Sequence, residues 1–227
     1  MDKPKYVVWD WNGTLHDDVV AAVNGINVLL EERRLPLMTV ESHRRHFQFP
    51  VRNYYIAAGF ELEREDWNAM AVKFHDVFTA DPSAGLHRDA RHVLEAFHKA
   101  GVGQSVVSAC EQNILNGFME RYGIRPYFDE VRGLDNLSAA SKVERGRSLV
   151  ERLRRKFHDT GEGACATEFW FIGDTDHDYE LAEACGASCL LLCSGYQDEA
   201  RLAACPCPRV PSLSDVPAFF GLRQTDT

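Results

Sequence analysis

The sequence predicts an α/β protein with a parallel sheet covered by helices on both faces, and with a helical segment inserted near its start. One observation is that short apolar runs alternate with helical patterns from residue 86 onward. Another is that a similar run opens the chain at residues 6–9 and is rich in β-branched and aromatic side chains, as buried strands are. Between that run and residue 86 the periodicity is helical, so these residues interrupt the sheet.

The first strand is expected over residues 6–9, and Gly13 ends it. Asp10 therefore lies at the carboxyl end of a strand, where open α/β sheets bind their ligands. An aspartate at this place can instead be a turn or helix N-cap residue. The stretch alone does not decide between the two interpretations.

Residues 16–85 are expected to form an all-helical insertion. A first helix, with an apolar face over residues 19–30, ends before Pro36. A second helix begins at Thr39 and a break follows at Pro50, after which helices are expected over residues 54–58 and 65–78. This length of chain is sufficient for a small bundle.

The remainder alternates between helix and strand, which predicts a parallel sheet. The expected strands are residues 104–108, 130–134, 169–172 and 189–193, and the expected helices are residues 88–100, 113–122, one that starts at a capping box over 141–144, and 179–185. A polar, glycine-containing loop is expected over 160–166. The predicted organisation is therefore a Rossmann-like core domain of residues 1–15 and 86–227 around the helical insertion of residues 16–85.

Composition limits the kinds of partner. A formal net charge of −9 argues against general attraction to nucleic acid or anionic membranes. No run approaches the ~18 apolar residues of a membrane span, and the first residues read as a strand rather than a signal peptide, so a cytoplasmic protein is expected. The seven cysteines are an odd number, which favours reduced thiols. For Cys185, Cys189 and Cys193 burial is favoured over a metal site, and oligomeric state is not indicated.

Residues able to carry chemistry follow the expected strands in a definite order. Asp10 follows the first strand, Ser108 ends the second, Lys142 opens a helix, and Asp174 follows a later strand with Asp178 four residues on. This ordered set resembles the haloacid dehalogenase superfamily of phosphohydrolases, and residues 9–15 resemble its phosphoglycolate-phosphatase-like branch. The resemblance covers nearly the whole chain and implies that the helical insertion is a cap domain.

The resemblance implies a Mg²⁺-dependent phosphatase for a small phosphorylated metabolite such as phosphoglycolate. Asp10 would be the nucleophile that forms an aspartyl-phosphate. Mg²⁺ would be held by Asp10, by Asp174 and by the backbone carbonyl of Asn12. Asp178 would be a supporting ligand, or would only cap the following helix.

The resemblance also gives roles to Ser108, Lys142 and Thr14. Ser108 would donate a hydrogen bond to a phosphoryl oxygen, and Lys142 would supply positive charge. Thr14 would orient the loop by bonding either a phosphoryl oxygen or Asp10. Without the resemblance, the preferred interpretation of Ser108 is a turn or helix-cap residue, and that of Lys142 is a surface lysine.

Asn12 departs from the family pattern, in which an aspartate protonates the leaving oxygen and later takes a proton from water. An amide does neither at neutral pH, and general acid–base catalysis is typically worth ~10²–10⁴ in rate. The enzyme could therefore be slow or restricted to good leaving groups. Alternatively, His16, Asp17 or His177 takes over the proton, or the protein binds phosphorylated ligands without turnover. A phosphoryl-transferring mutase is another alternative.

The segment of residues 43–52 mixes cations with aromatic side chains just before and after a proline. Arg45 and Arg52 are candidates to grip a carboxylate or second phosphate of the substrate. A solvated basic helix face is the alternative interpretation of both arginines.

Overall fold

The computed structural model describes residues 3–135, 142–159 and 168–222. Its strands are β1 (Tyr6–Trp9), β2 (His16–Asp17), β3 (Gly85–Leu86), β4 (Gly103–Glu111), β5 (Glu130–Leu134), β6 (Phe169–Gly173), β7 (Ser188–Leu192) and β8 (Arg209–Val210). Within the described ranges, six strands form one sheet in the order β5-β4-β1-β6-β7-β8, and every neighbouring pair is parallel. The predicted parallel α/β fold is confirmed.

Helices cover both faces of this sheet and fill the helical insertion. They are α1 (Val19–Glu32), α2 (Val40–His46), α3 (Val51–Ala57), α4 (Trp67–Ala80), α5 (Ala90–Lys99), α6 (Gln112–Arg121), α7 (Val143–Asp159), α8 (Asp176–Ala184), α9 (Glu199–Leu202) and α10 (Val216–Phe219). Strand β1 shows the two-sided burial directly, because Val7 and Trp9 lie in one apolar cluster and Tyr6 and Val8 in another. Alternate side chains of a strand point to opposite faces, so both faces are buried.

The strand order places the end of β1 beside the end of β6. Trp9 is opposite Ile172 in the parallel register, so Asp10 and Gly173 leave the sheet at the same edge. From β1 the chain reaches β4 on one side and later β6 on the other. This change of direction creates a crevice at the carboxyl ends of the strands, where such sheets bind ligands.

Helices α1 to α4 have an apolar cluster of their own, to which Ile26, Leu30, Tyr55 and Met70 belong. The chain enters and leaves them through the antiparallel pair β2 and β3, in which His16 is opposite Leu86. The two connections between the sheet and helices α1 to α4 therefore lie side by side, as expected for a segment inserted into a sheet protein. Division into core and cap domains at residues 15 and 86 stays a prediction.

The structure differs from the expectation at several element ends. Strand β4 continues to Glu111, so Ser108 lies inside the strand, where the register with β5 shifts. Helix α8 starts at Asp176 rather than at residue 179, which brings Asp178 into its first turn. The short elements β2, β3, β8, α9 and α10 were not predicted, because two to four residues show no periodicity.

Two expectations fall on residues 141 and 160–166, outside the described ranges. In the described residues no helix is long and apolar enough to cross a membrane. Cys185 and Cys189 are buried in an apolar cluster, as predicted, whereas Cys193 packs at its edge and is partly exposed.

Candidate active site

Lys142 lies between two carboxylates at the carboxyl edge of the sheet. Its Nζ is 2.7 Å from Oδ1 of Asp10 and 2.6 Å from Oδ1 of Asp178, and the side chain is only 2% exposed. Asp10 is fixed at the end of β1 by its backbone N–H, which donates to the carbonyl of Ile172. Three residues that the sequence separates by more than 160 positions thus form one ionic cluster.

Asp174 is the third carboxylate of the site and is fully buried. The hydroxyl of Thr14 donates to its Oδ1 at 2.9 Å, and the backbone N–H of Tyr196 donates to its Oδ2 at 2.6 Å. Thr14 therefore orients Asp174, whereas bonds to Asp10 or to a phosphoryl oxygen were expected. Gly13 is required beside it, because its φ is +73° and a Cβ would lie 2.3 Å from Oδ2 of Asp174.

Asp178 caps the start of α8 and also pairs with Lys142, and its predicted part in metal binding stays a prediction. Its Oδ2 accepts hydrogen bonds from the backbone N–H groups of Asp174 and Thr175 and from the Thr175 hydroxyl, which completes a capping box at the start of α8. Its Oδ1 accepts from Lys142. Asp178 thus ties Lys142 to the loop that carries Asp174.

The three carboxylates carry more negative charge than Lys142 balances. Oxygens of Asp10, Asp174 and Asp178 lie within 4.8 Å of one another. Burial, and then the charge of Asp178, raise the pKa of Asp10 from 3.8 to about 7. Burial and the two neighbouring carboxylates raise the pKa of Asp174 well above its usual range. Clustered buried oxygen ligands with unbalanced charge fit a hard divalent cation such as Mg²⁺.

Lys142 is favoured in its charged form, and it favours the ionised form of Asp178. Burial opposes the charged lysine, but the charges of Asp10 and Asp178 outweigh it and raise the pKa of Lys142. Burial also opposes ionisation of Asp178, and the positive charge of Lys142 outweighs that effect and lowers the pKa of Asp178. The charged forms of Lys142 and Asp178 are therefore favoured as an ion pair, and the excess charge resides on Asp10 and Asp174.

Ser108 is buried in β4, and its Oγ accepts a hydrogen bond of 3.0 Å from the backbone N–H of Cys110. This bond shapes the end of the strand where the register shifts. The neighbours Ala109, Cys110 and Glu111 line the cavity described below, whereas Ser108 is not part of its wall. The predicted phosphoryl contact of Ser108 stays a prediction.

Asn12 contacts a carboxylate that the sequence did not single out. Its Nδ2 donates to Oδ2 of Asp18 at 2.5 Å, and the backbone N–H of Gly13 donates to Oδ1. His16 Nδ1 also lies 2.9 Å from Oδ2 of Asp18. Asp18 is only 1% exposed and reads in the sequence as an ordinary residue before a helix, so only the fold reveals its role.

The three candidates for the proton role occupy different places. His16 is buried, stacked on Trp11 and bonded to Asp18. Asp17 is exposed in β2, and His177 pairs with Glu180 at 3.1 Å. Among them only His16 belongs to the hydrogen-bonded network that reaches Asn12.

A cavity of about 160 Å³ lies beside the ionic cluster, with Asp10, Asn12 and Lys142 at its polar end. The insertion and the core both contribute to its aromatic wall, which consists of Phe47, Phe49, Phe74, Phe78, Phe118 and Tyr196. Arg45 and Arg52 are not among the lining residues: both are exposed, and the Arg52 guanidinium lies 4.7 Å from the centre of the Trp67 ring. The position of both arginines therefore does not support the predicted grip on substrate.

Comparisons with known proteins find a matching family model and curated relatives. Residues 7–192 match the family model described as haloacid dehalogenase-like hydrolase. Phosphoglycolate phosphatase of Aliivibrio fischeri is 22% identical over 204 residues, covering 85% of each chain. That of Pseudomonas fluorescens is 26% identical over 203 residues, covering 85% of this chain and 71% of the other.

Solved structures share the fold at lower identity. A predicted phosphoglycolate phosphatase from Haemophilus somnus has a TM-score of 0.68 at 18% identity, covering 96% of this chain and 99% of that one. Protein Tyrosine Kinase A of Mycobacterium tuberculosis has a TM-score of 0.73 at 17% identity, covering 97% and 100%. Since proteins with different named activities share this fold, the reaction has to be argued from the site.

Proposed function

Because the chain belongs to the haloacid dehalogenase-like hydrolase family and is a phosphoric monoester hydrolase, we propose that it is a Mg²⁺-dependent phosphatase of small phosphorylated molecules. The observation that supports this most is the buried cluster of Asp10, Lys142, Asp174 and Asp178 beside an apolar cavity. A strand-end carboxylate next to a buried ammonium suits attack on a phosphoryl group that the ammonium helps to hold.

Asp10, Asp174 and the backbone carbonyl of Asn12 are the groups that would hold Mg²⁺. When bound, the cation offsets repulsion between the anionic nucleophile and the anionic phosphate. Thr14 and the Tyr196 backbone hold Asp174 in place, and Asp178 holds Lys142. We assign Asp178 to this supporting role, since protein donors already occupy both of its oxygens.

In the proposed reaction a carboxylate oxygen of Asp10 attacks phosphorus, and the bond to the leaving oxygen breaks. Lys142 lies 2.7 Å from the attacking carboxylate and stabilises charge on the phosphoryl oxygens. Water then attacks phosphorus of the aspartyl-phosphate, which releases inorganic phosphate and restores the Asp10 carboxylate. The overall reaction is hydrolysis of a phosphate monoester.

Phosphoglycolate, the example suggested by the sequence and the substrate named for the curated relatives, remains only one candidate. The carboxylate of phosphoglycolate requires a cation besides those that hold the phosphoryl group. The wall of the cavity contributes the ammonium of Lys142, and Asp10 and Asp178 already hold it. The proposal is therefore stated for small phosphate monoesters as a class.

Binding of a phosphorylated ligand without turnover is the second candidate, and Asn12 is the observation that favours it. A screen of many small phosphate esters, with Mg²⁺ and with a chelator, distinguishes the two. We expect Mg²⁺-dependent, continuing release of inorganic phosphate from some esters. Tight binding of esters without phosphate release would favour the binding role, and transfer to a second substrate hydroxyl would favour a mutase.

A further inference from the structure

We propose that the leaving group of the substrate is a small uncharged phenol, so that the enzyme is selective for aryl phosphate monoesters. This inference rests on the proposed phosphatase function and narrows its substrate class. Two independent features support it: the chemistry of the cavity wall and the amide of Asn12.

The cavity has the size and lining of a site for one aromatic ring. Its volume of about 160 Å³ is close to the roughly 150 Å³ of an apolar protein cavity that binds benzene. Phenylalanines from the insertion and from α6 surround it, together with Val51 and Ile114. Such a wall favours apolar leaving groups, because binding removes their apolar surface from water.

Charge on the wall is concentrated at the phosphoryl end. Apart from Asp10 and Lys142, the charged residue among the described residues that line the cavity is Glu111, which caps α6 by accepting from the N–H groups of Asn113 and Ile114. His75 also lines the cavity, with its ring against that of Phe74. A carboxylate on the leaving group would lose its hydration against phenylalanine rings and face Glu111, which is costly.

A second cavity, of about 110 Å³, lies deeper in the insertion and shares Phe47, Phe74 and Tyr196 with the first. His43 lines it, is 1% exposed, and donates or accepts one hydrogen bond with Tyr54 through Nδ1. Within the described residues its Nε2 has no hydrogen-bond partner. Burial lowers the pKa of His43 to about 3, so this atom suits a neutral polar substituent on the ring rather than a charged one.

The second feature concerns bond cleavage. When an oxygen of Asp10 attacks phosphorus, the electron pair of the broken P–O bond moves to the leaving oxygen. A phenol has a pKa near that of tyrosine, about 10, so its phenolate departs without a proton and takes one from water afterwards. An alkoxide is far more basic and requires an acid that the amide of Asn12 cannot be.

Three substrates separate the two features: phenyl phosphate, benzyl phosphate and phosphoglycolate. Phenyl and benzyl phosphate both carry a ring, but only the former releases a phenolate. We expect kcat/KM to be about 10²-fold higher for phenyl than for benzyl phosphate, and about 10-fold or more higher for benzyl phosphate than for phosphoglycolate. Equal or greater activity on phosphoglycolate would overturn the inference and leave the phosphatase function intact. Release of phosphate from none of the three would also overturn the inference, and the wider ester screen would then decide the phosphatase function.

A matched pair of variants tests the wall itself. Ile114→Lys places a cation on the wall from α6, whereas Asn116→Lys adds the same charge at an exposed position of the same helix. We expect Ile114→Lys to shift the ratio of kcat/KM between phenyl phosphate and phosphoglycolate by about 10-fold toward phosphoglycolate, with Asn116→Lys unchanged. An equal shift in both variants, or none in either, would contradict the inference.

Inhibition of the wild-type enzyme tests the preference of the cavity for an aromatic ring without any substitution. Phenylphosphonate and phosphonoacetate are stable analogues of the two leaving-group types. We expect the inhibition constant of phenylphosphonate to be at least about 10-fold lower than that of phosphonoacetate. Tighter inhibition by phosphonoacetate would contradict an aromatic site.

Discussion

The side-chain amide of Asn12 donates a hydrogen bond of 2.5 Å to the carboxylate of Asp18, a residue buried at the entrance to the helical insertion. The amide is therefore held in place by a carboxylate rather than free to serve the leaving group. An aspartate at position 12 would put two carboxylates at hydrogen-bond distance. Such a pair cannot ionise fully, so it retains a proton between its members.

Asn12→Asp is expected to raise kcat/KM for alkyl phosphates by about 10²-fold, because the retained proton can be given to the leaving oxygen. The gain should be larger for benzyl than for phenyl phosphate, since the phenolate requires no proton. Steady-state phosphate release measures both. Peptide mass analysis of the wild-type sample is the necessary control, because Asn12-Gly13 is prone to deamidation. Ordinary wild-type rates on alkyl phosphates, unchanged by Asn12→Asp, would show that another residue carries the proton.

Asp174→Ala is expected to weaken Mg²⁺ binding by about 10- to 100-fold, because Asp174 supplies a buried carboxylate to the cation. Glu63→Ala, at an exposed position of the insertion, is the matched control for loss of one negative charge. Calorimetric titration of both variants with Mg²⁺ gives the two affinities. Equal affinities would remove Asp174 from the metal site.

Asp10→Asn is expected to stabilise the metal-free protein at alkaline pH. The folded pKa of Asp10 is about 7 against an ordinary 3.8, so folding favours its protonated form and stability is lost as pH rises between these values. The Asp10→Asn variant has no carboxylate to ionise at this position, so it does not lose stability in this way. Its melting temperature should match that of the wild type near about pH 4, and should exceed it by about 3 °C or more above about pH 7. A difference that does not change with pH would contradict the assigned cause.

Lys142→Met is expected to lower kcat/KM by about 10³-fold and to destabilise the metal-free protein by about 3 kcal/mol at neutral pH. Removal of one partner leaves buried carboxylates without their counter-ion. Lys99→Met removes an exposed lysine that pairs with Glu95 and serves as control. Thermal melts and phosphate release report the two effects separately, and a Lys142→Met enzyme with unchanged kcat/KM would exclude the phosphoryl contact.

Arg45→Ala and Arg52→Ala are expected to leave KM within about twofold for every ester, since both arginines are exposed and off the cavity wall. The sequence suggested the opposite, an unequal effect among substrates. A KM increase confined to carboxylated esters would restore that earlier interpretation.

The ordered set of Asp10, Lys142, Asp174 and Asp178 was singled out through its resemblance to the haloacid dehalogenase superfamily, since each member alone has an ordinary structural interpretation. Parallel strands then bring their carboxyl ends together, whatever the intervening chain does. The partners of Asn12 and Thr14 were not predictable. Both depend on side-chain directions within a loop, which no periodicity encodes.

The cavity wall is another part of the site that the sequence pattern could not identify. Phe74 and Phe78 belong to an apolar stripe of α4. The spacing of that stripe predicts burial, but it does not show which residues face the cavity beside Asp10. Arg45 and Arg52 drew attention through their charge, yet they lie at the surface. Charge in a sequence marks candidates for binding, whereas an apolar binding wall resembles ordinary core.

The central claim, catalysis through an aspartyl-phosphate on Asp10, is tested most directly by trapping that intermediate. Because Asn12 cannot take a proton from the attacking water, breakdown of the intermediate should be slow enough for it to accumulate. The measurement is peptide mass analysis after acid quench of wild-type enzyme mixed with phenyl phosphate and Mg²⁺, with Asp10→Asn as control. We predict one phosphoryl group on the peptide that contains Asp10 in the wild type and none in the variant. Phosphate release by the Asp10→Asn variant at the wild-type rate, with no phosphoryl group on that peptide in either protein, would contradict the account.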